Sequence, residues 1–217
     1  MIHFIHIGKT GGMAIKHALE PIAKDFGIIL HPHQFSLRDV GADDKVIFSI
    51  RSPIARFVSG FNSRLRRGRP KLFSPWKFGE EEAFARFPTP NELAEALTSA
   101  DHKTRDAAHR AMLVIEHVRS SYTDWLDSLP YIEERKGVIL CILATESLWA
   151  DFEVLKRKLA LPEAVRLPEN PVDAHRTPAS FVTEISESAR QNLECWYAKD
   201  LAFHHYLSGL RKAILTV

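Results

Sequence analysis

Met1-Ile-His-Phe-Ile-His-Ile-Gly-Lys-Thr-Gly-Gly12 is the stretch on which the fold turns: an apolar run leads straight into a turn made of glycine, lysine and threonine. Ile2, Phe4, Ile5 and Ile7 are strand formers, and they predict a strand over 2–7. Gly8, Gly11 and Gly12 permit the tight backbone that a following helix needs at its start, and from Met13 the pattern is helical, predicting a helix over 12–25. The unpartnered N–H groups of the first helical turn and the positive end of the helix dipole then face one spot, with the Lys9 ammonium and the Thr10 hydroxyl beside it. That spot suits a phosphate or a sulfate.

Outward from this turn the chain alternates its elements. Strands are predicted at 28–30, 46–50 and 138–144, and helices at 53–66, near 147–160 and over 183–214. Such alternation predicts an α/β chain: a P-loop-like three-layer fold with a central parallel sheet flanked by helices. Residues 80–128 read as helical, with candidate helices at 91–97 and 107–125, so about 64–130 form a mostly helical insert. With 217 residues, 45% of them apolar, the chain fits one domain over 1–217. Ligands of open α/β sheets bind beyond the carboxyl ends of the strands, where residues 8–12, Arg51 and Glu146 are expected together.

The nucleotide-triphosphate P-loop, GxxxxGK(S/T), is the nearest general motif, but alignment on Gly8-Lys9-Thr10 puts His3 at its first glycine. The strand at 46–50 is followed by Arg51, where such enzymes carry a magnesium-binding Asp. A cation therefore stands in place of a metal ligand. In Arg51-Ser-Pro-Ile-Ala-Arg-Phe-Val-Ser59, Pro53 opens a helix, and Arg51 and Ser59 can converge on a second anion.

These two segments together resemble the sulfotransferases that use 3′-phosphoadenosine 5′-phosphosulfate (PAPS), especially the carbohydrate branch that includes heparan-sulfate 2-O-sulfotransferase and bacterial relatives. In that family a PKTGGT-like loop binds the 5′-phosphosulfate and an R-x-P-x-x-R-x-x-S segment binds the 3′-phosphate. The resemblance implies that Lys9, Thr10, Gly11, Gly12 and Met13 surround the phosphosulfate and that Arg51 and Ser59 hold the 3′-phosphate. Gly8 replaces the family's usual Pro, and Met13 stands where a Thr adds a hydroxyl. Residues 138–152 look like the family's late core strand with its Glu-x-Leu turn and Asp-Phe pair, and Tyr197 to Asp200 like its Y-x-x-D motif. Asn170 to Arg176 occupy the place of a loop over the adenine. Matches cover most of the chain and are weakest over 64–130, the helical insert that the resemblance puts on the acceptor side.

The implied reaction is metal-independent transfer of a sulfuryl group from PAPS to a hydroxyl of a carbohydrate or glycolipid, with Lys9 stabilising charge on the bridging oxygen. His31-Pro-His33 falls where the relatives carry a His-x-His implicated as the base. A neutral imidazole accepts a proton near physiological pH, so His33 is the expected base with His31 in support; the bland alternative is a surface pair in a chain with 11 histidines. Glu146 is an outside candidate for the base, and Arg56 is expected to form a salt bridge within the sheet instead of touching cofactor. Two other readings stay open: a non-catalytic PAPS- or nucleotide-binding module of the same fold, and a P-loop-type small-molecule kinase.

Arg64 to Lys71 pack five cations into eight residues, either to receive an anionic acceptor or as a solvated loop; binding to nucleic acid is a weaker alternative. Trp76 is a candidate for stacking on a sugar, whereas Trp125, Trp149 and Trp196 are expected in the core. A net charge of +2 argues against a general polyanion binder. Cys141 and Cys195 read as two core thiols. Strand residues follow Met1 at once and no apolar run approaches about 20 residues, so neither a secretory signal nor a membrane span is expected. The family's PAPS chemistry then implies a cytoplasmic, bacterial setting.

Overall fold

The computed structural model describes residues 1–174 and 176–216. Four strands form, β1 (Ile2–Ile5), β2 (Ile28–Leu30), β3 (Lys45–Ile50) and β4 (Ile139–Ala144). The helices are α1 (Gly12–Leu19), α2 (Pro53–Leu65), α3 (Glu80–Arg86), α4 (Pro90–Ala96), α5 (His102–Val114), α6 (Glu116–Arg119), α7 (Thr123–Leu126), α8 (Leu129–Arg135), α9 (Leu148–Lys158), α10 (Glu187–Trp196) and α11 (Ala198–Thr216). All strand pairs are parallel, in the order β2-β1-β3-β4. The chain leaves β1 for β2 on one side and β3 for β4 on the other. The order therefore reverses between β1 and β3, and their carboxyl ends flank the switch point where such sheets bind ligands.

The chain forms two compact units. The first comprises Met1–Arg51, Ser121–His175 and Ala202–Val217; the second comprises Ser52–Ser120 and Arg176–Leu201. In the first unit, strand alternation feeds two cores, one on each face of the sheet. Ile5, Val46, Phe48, Ile50 and Ile142 pack with Trp125 and Leu126 of α7, Ile132 of α8, and Phe203 and Leu207 of α11. Phe4, Ile47, Cys141 and Leu143 pack with Ala14, Ile15 and Leu19 of α1 and with Phe152 and Leu155 of α9. This is the three-layer α/β arrangement with a parallel central sheet. The Asp-Phe pair works on both levels, for Phe152 fills this second core while Asp151 ties the end of β4. The Asp151 carboxylate accepts from Ala144 N at 2.6 Å and from Arg211 Nε at 2.8 Å.

In the second unit every described regular element is helical, around a core of Phe57, Phe61, Phe84, Leu93, Met112, Ile115 and Leu193. Gly60 lets α2 approach the α6 segment closely, since a Cβ there would lie 2.9 Å from the His117 carbonyl oxygen.

Several boundaries differ from those expected. α1 stops at Leu19, and Pro21 sits in a short 3₁₀ turn, Glu20–Ile22. The helix expected at 107–125 is three pieces: α5 starts earlier because the Asp101 side chain accepts from Thr104 N, and extended backbone at Ile115 and Ser120 bounds α6. The helix expected at 183–214 is divided at Tyr197, where α10 ends and whose hydroxyl donates to the Val118 carbonyl at 2.8 Å. Cys141 is buried as expected, but Cys195 is exposed. Trp125 is buried and Trp196 partly buried, whereas Trp149 is 45% exposed.

Candidate functional site

β1 ends at Ile5, and a tight turn follows in which Ile7 N donates to the Ile5 carbonyl at 3.2 Å. The loop then adopts left-handed backbone twice, at Lys9 (φ 67°) and at Gly11 (φ 87°). Gly11 is the N-cap of α1, with no side-chain cap and no acidic residue in the first turn. The N–H groups of Gly12 and Met13 open the helix without carbonyl partners inside it. Their dipole end therefore has no carboxylate from its own first turn against it.

The Thr10 hydroxyl is not part of that open surface. It is fully buried, donates to the Ile7 carbonyl at 2.8 Å and meets the Ser49 hydroxyl of β3 at 2.8 Å. Thr10 thus shapes the loop and fastens it to the neighbouring strand.

Gly12 is required for a different reason. A Cβ on it would lie 2.3 Å from His6 Cδ2, so the buried His6 ring occupies the space that any larger residue would fill. Sequence reasoning missed His6, which reads there as one more strand residue. Its ring lies 3.9 Å from that of His33, centroid to centroid, and its carbonyl is 2.9 Å from His33 Nδ1. A carbonyl only accepts, so His33 Nδ1 carries a proton in this contact, which in a neutral ring leaves the lone pair on Nε2. Trp125 Nε1 donates to the His33 carbonyl at 2.7 Å, fixing the backbone as well. His33 is exposed and held from two sides.

His31 is held differently. Its Nε2 is 2.8 Å from His3 Nδ1, its ring stacks on Phe35 at 3.4 Å between centroids, and His3 Nε2 is 3.3 Å from Asp44 Oδ2. Burial, then the neighbouring His3 and Lys16, push His31 below the ordinary histidine range against the opposing pull of Asp39. Among the described residues no group of three or more His, Cys, Asp or Glu is arranged to hold a metal ion.

Arg51 follows β3. Tyr122 fixes its backbone from both sides: the hydroxyl accepts from Arg51 N at 2.9 Å and donates to Arg51 O at 2.6 Å. Arg51 Nη1 reaches the Lys9 carbonyl at 3.5 Å, the long limit of a hydrogen bond. Burial lowers the Arg51 pKa, and Glu146 and Tyr122 oppose that shift. It stays charged all the same, so a partly desolvated guanidinium stands beside the glycine loop. Glu146 is exposed in the turn after β4. It also pulls upward on His204, a residue not singled out from sequence, whose pKa is lowered chiefly by burial and further by His205.

The first unit therefore brings together the residue 8–13 turn, Arg51, His31 and His33 at the carboxyl ends of β1, β2 and β3. Ser59 and Arg56 of the expected 3′-phosphate segment belong to the second unit. Ser59 is half-buried on α2. Arg56 is buried, donates through Nη2 to the Ser120 carbonyl and lies 3.8 Å from Asp200 Oδ1. The R-x-P-x-x-R and Y-x-x-D segments thus meet through Arg56 and Asp200, a salt bridge between α2 and the start of α11, within the second unit and not within the sheet as expected.

The basic run is also partly structural. Arg64 is 2% exposed and forms a two-pronged pair with the fully buried Glu80. Trp76 donates to the Arg64 carbonyl at 2.9 Å and has the Arg67 guanidinium 3.9 Å above its ring, which covers the surface a sugar would need. In the Asn170–Arg176 loop, Asn170 closes a turn by accepting from Ala174 N at 2.9 Å; His175 lies outside the described residues. Among the described residues no helix is long and apolar enough to cross a membrane.

In comparisons with known proteins the chain matches no family model, no curated protein and no solved structure.

Proposed function

We propose that the chain is a PAPS-dependent sulfotransferase acting on a hydroxyl of a carbohydrate or glycolipid. The observation that carries this reading is the pairing of an acid-free helix start with a desolvated arginine at the sheet's switch point, joined through Lys9 and Arg51. This donor set fits the phosphosulfate end of PAPS: backbone N–H groups of residues 10–13 and Lys9 face one anion, and Arg51 supplies charge beside it. Ser59 and Arg51 are assigned to the 3′-phosphate on the sequence motif alone.

In the proposed reaction the acceptor oxygen attacks sulfur and the bond from sulfur to the bridging oxygen breaks. The acceptor proton passes to His33 Nε2, and the spent cofactor leaves as 3′,5′-adenosine bisphosphate. Lys9 offsets the negative charge that grows on the bridging oxygen. The Nδ1–H bond from His33 to the His6 carbonyl supports His33 as the base, because it leaves the lone pair on Nε2. Part of the same proposal is a cytoplasmic, bacterial setting and an acceptor that is itself anionic.

Calorimetric titration with 3′,5′-adenosine bisphosphate tests the reading most directly, and absence of binding at millimolar ligand overturns it. Lys9→Ala should abolish transfer while far-UV circular dichroism is unchanged; a normal rate removes Lys9 from the mechanism. Met13 favours one second reading, a binding-only module of the same fold, which predicts cofactor binding without transfer to any acceptor in a broad panel. A kinase reading is weakened by Thr10, whose hydroxyl is engaged by Ile7 and Ser49 where such an enzyme directs it at magnesium.

A further inference from the structure

Arg64-Leu-Arg-Arg-Gly-Arg-Pro-Lys-Leu-Phe-Ser-Pro-Trp-Lys-Phe-Gly79 contains six cations and no Asp or Glu. The buried pair at its base makes the segment a built loop. Glu80 accepts from Arg64 Nε at 2.8 Å, from Lys77 N at 2.8 Å and from Glu116 N at 3.0 Å. Ser74 N donates back across the loop to the Arg67 carbonyl at 2.8 Å. Yet this ordered scaffold leaves Leu72 54%, Phe73 58% and Phe78 99% exposed. Holding three large apolar side chains in water on a fixed loop marks an interaction surface, not a mobile tail.

We propose that this loop docks the second unit on an anionic lipid bilayer. Leu72, Phe73 and Phe78 enter the interfacial region, while Arg67, Arg69 and Lys71 lie against headgroup phosphates; Arg66 is turned inward, donating through Nε to the Arg69 carbonyl at 2.6 Å. Charge complementarity selects the bilayer's sign, and the apolar side chains select a bilayer over other polyanions. A nucleic acid or sulfated glycan gains from the cations but nothing from the aliphatic Leu72. The ring faces nearest the cations are also already occupied, with Arg67 over Trp76 at 3.9 Å and Arg69 over Phe73 at 5.0 Å. This inference is independent of sulfuryl transfer and stands or falls without it.

Co-sedimentation of the full chain with phosphatidylcholine vesicles, with and without phosphatidylglycerol, tests it. Binding should require phosphatidylglycerol and weaken with salt. Phe78→Ser should lower the partition coefficient roughly tenfold, from the lost burial of one aromatic side chain. Arg69→Ala should lower it about fivefold, as expected for one cation near an anionic surface. Brominated lipid should quench tryptophan fluorescence, and Trp76→Phe should remove most of that quenching. Because Phe78 is almost wholly exposed, its variant keeps the wild-type circular dichroism spectrum. Failure to sediment with phosphatidylglycerol vesicles overturns the proposal, as does equal binding to neutral ones. Retention on heparin or a single-stranded oligonucleotide that survives Phe78→Ser, with no vesicle binding, also overturns it and assigns the loop to a soluble polyanion.

Discussion

Gly12→Ala isolates the packing beneath the cradle. The added Cβ falls 2.3 Å from His6 Cδ2 and 2.6 Å from His6 Nε2, separations that force a movement. His6 has little room to yield: it is buried, its ring meets that of His33 at 3.9 Å, and its carbonyl holds His33 Nδ1. Overpacking of this kind costs about 1–3 kcal/mol, against which replacing a helical glycine by alanine returns up to about 1 kcal/mol. The net is a loss of roughly 1–2 kcal/mol, or a fall in Tm of about 2–8 °C for a chain of this size. Gly209→Ala is the control, because it lies within α11 with nothing within 4 Å of its added Cβ, and it should leave Tm unchanged or raise it. Thermal unfolding followed by circular dichroism measures both. The double variant His6→Ala with Gly12→Ala should lose less than the two single losses added together, since without the ring there is nothing to strike. A Gly12→Ala protein as stable as the Gly209→Ala control refutes the steric account, and strict additivity refutes the part played by His6.

Glu80→Gln should cost about 3–5 kcal/mol in urea unfolding, because it strands the buried Arg64 charge. Burial pushes the Glu80 carboxyl up, but the Arg64 hydrogen bonds and the backbone N–H groups of Glu116 and Lys77 outweigh it and hold the carboxyl below the usual range. A depressed carboxyl stabilises fully above its unfolded value of about 4.3 and loses that contribution as pH falls through its folded value. The wild type should therefore show an acid limb in stability that Glu80→Gln lacks. Ellman's reagent should titrate Cys195 at once in the native protein and Cys141 only after denaturation, because burial pushes the Cys141 thiol up to about 12; rapid double labelling of native protein contradicts this. NMR titration should place His31 below the ordinary histidine midpoint of about 6.5, with His3→Phe raising it, and an unmoved midpoint in that variant removes His3 as a cause.

What the sequence disclosed was local chemistry. The four strands announce themselves as short β-branched runs, and the glycine turn and Arg51 fall at their ends, so the sheet and the position of its mouth were legible. Long-range pairings were not. The Thr10 hydroxyl is directed inward by Ser49, thirty-nine residues away, and Arg64 is withdrawn from the basic run by Glu80. Neither partner has a periodicity that reveals it. Helix breaks at Ile115 and Tyr197 were equally silent, because neither Gly nor Pro marks them and tertiary contacts override a helical pattern. The exposure of Cys195 was recoverable: Ala189, Leu193 and Tyr197 form the buried stripe at every fourth residue, which puts position 195 on the opposite side of the helix.

The hydroxyl pair of Thr10 and Ser49 has a consequence for timing. The pair joins the loop after β1 to the adjacent strand β3 within the folded chain. Under the proposed anion binding, capture would spend little free energy on ordering the loop, and the speed of association would be governed by encounter and electrostatic attraction, with no slow rearrangement at the glycines to limit it.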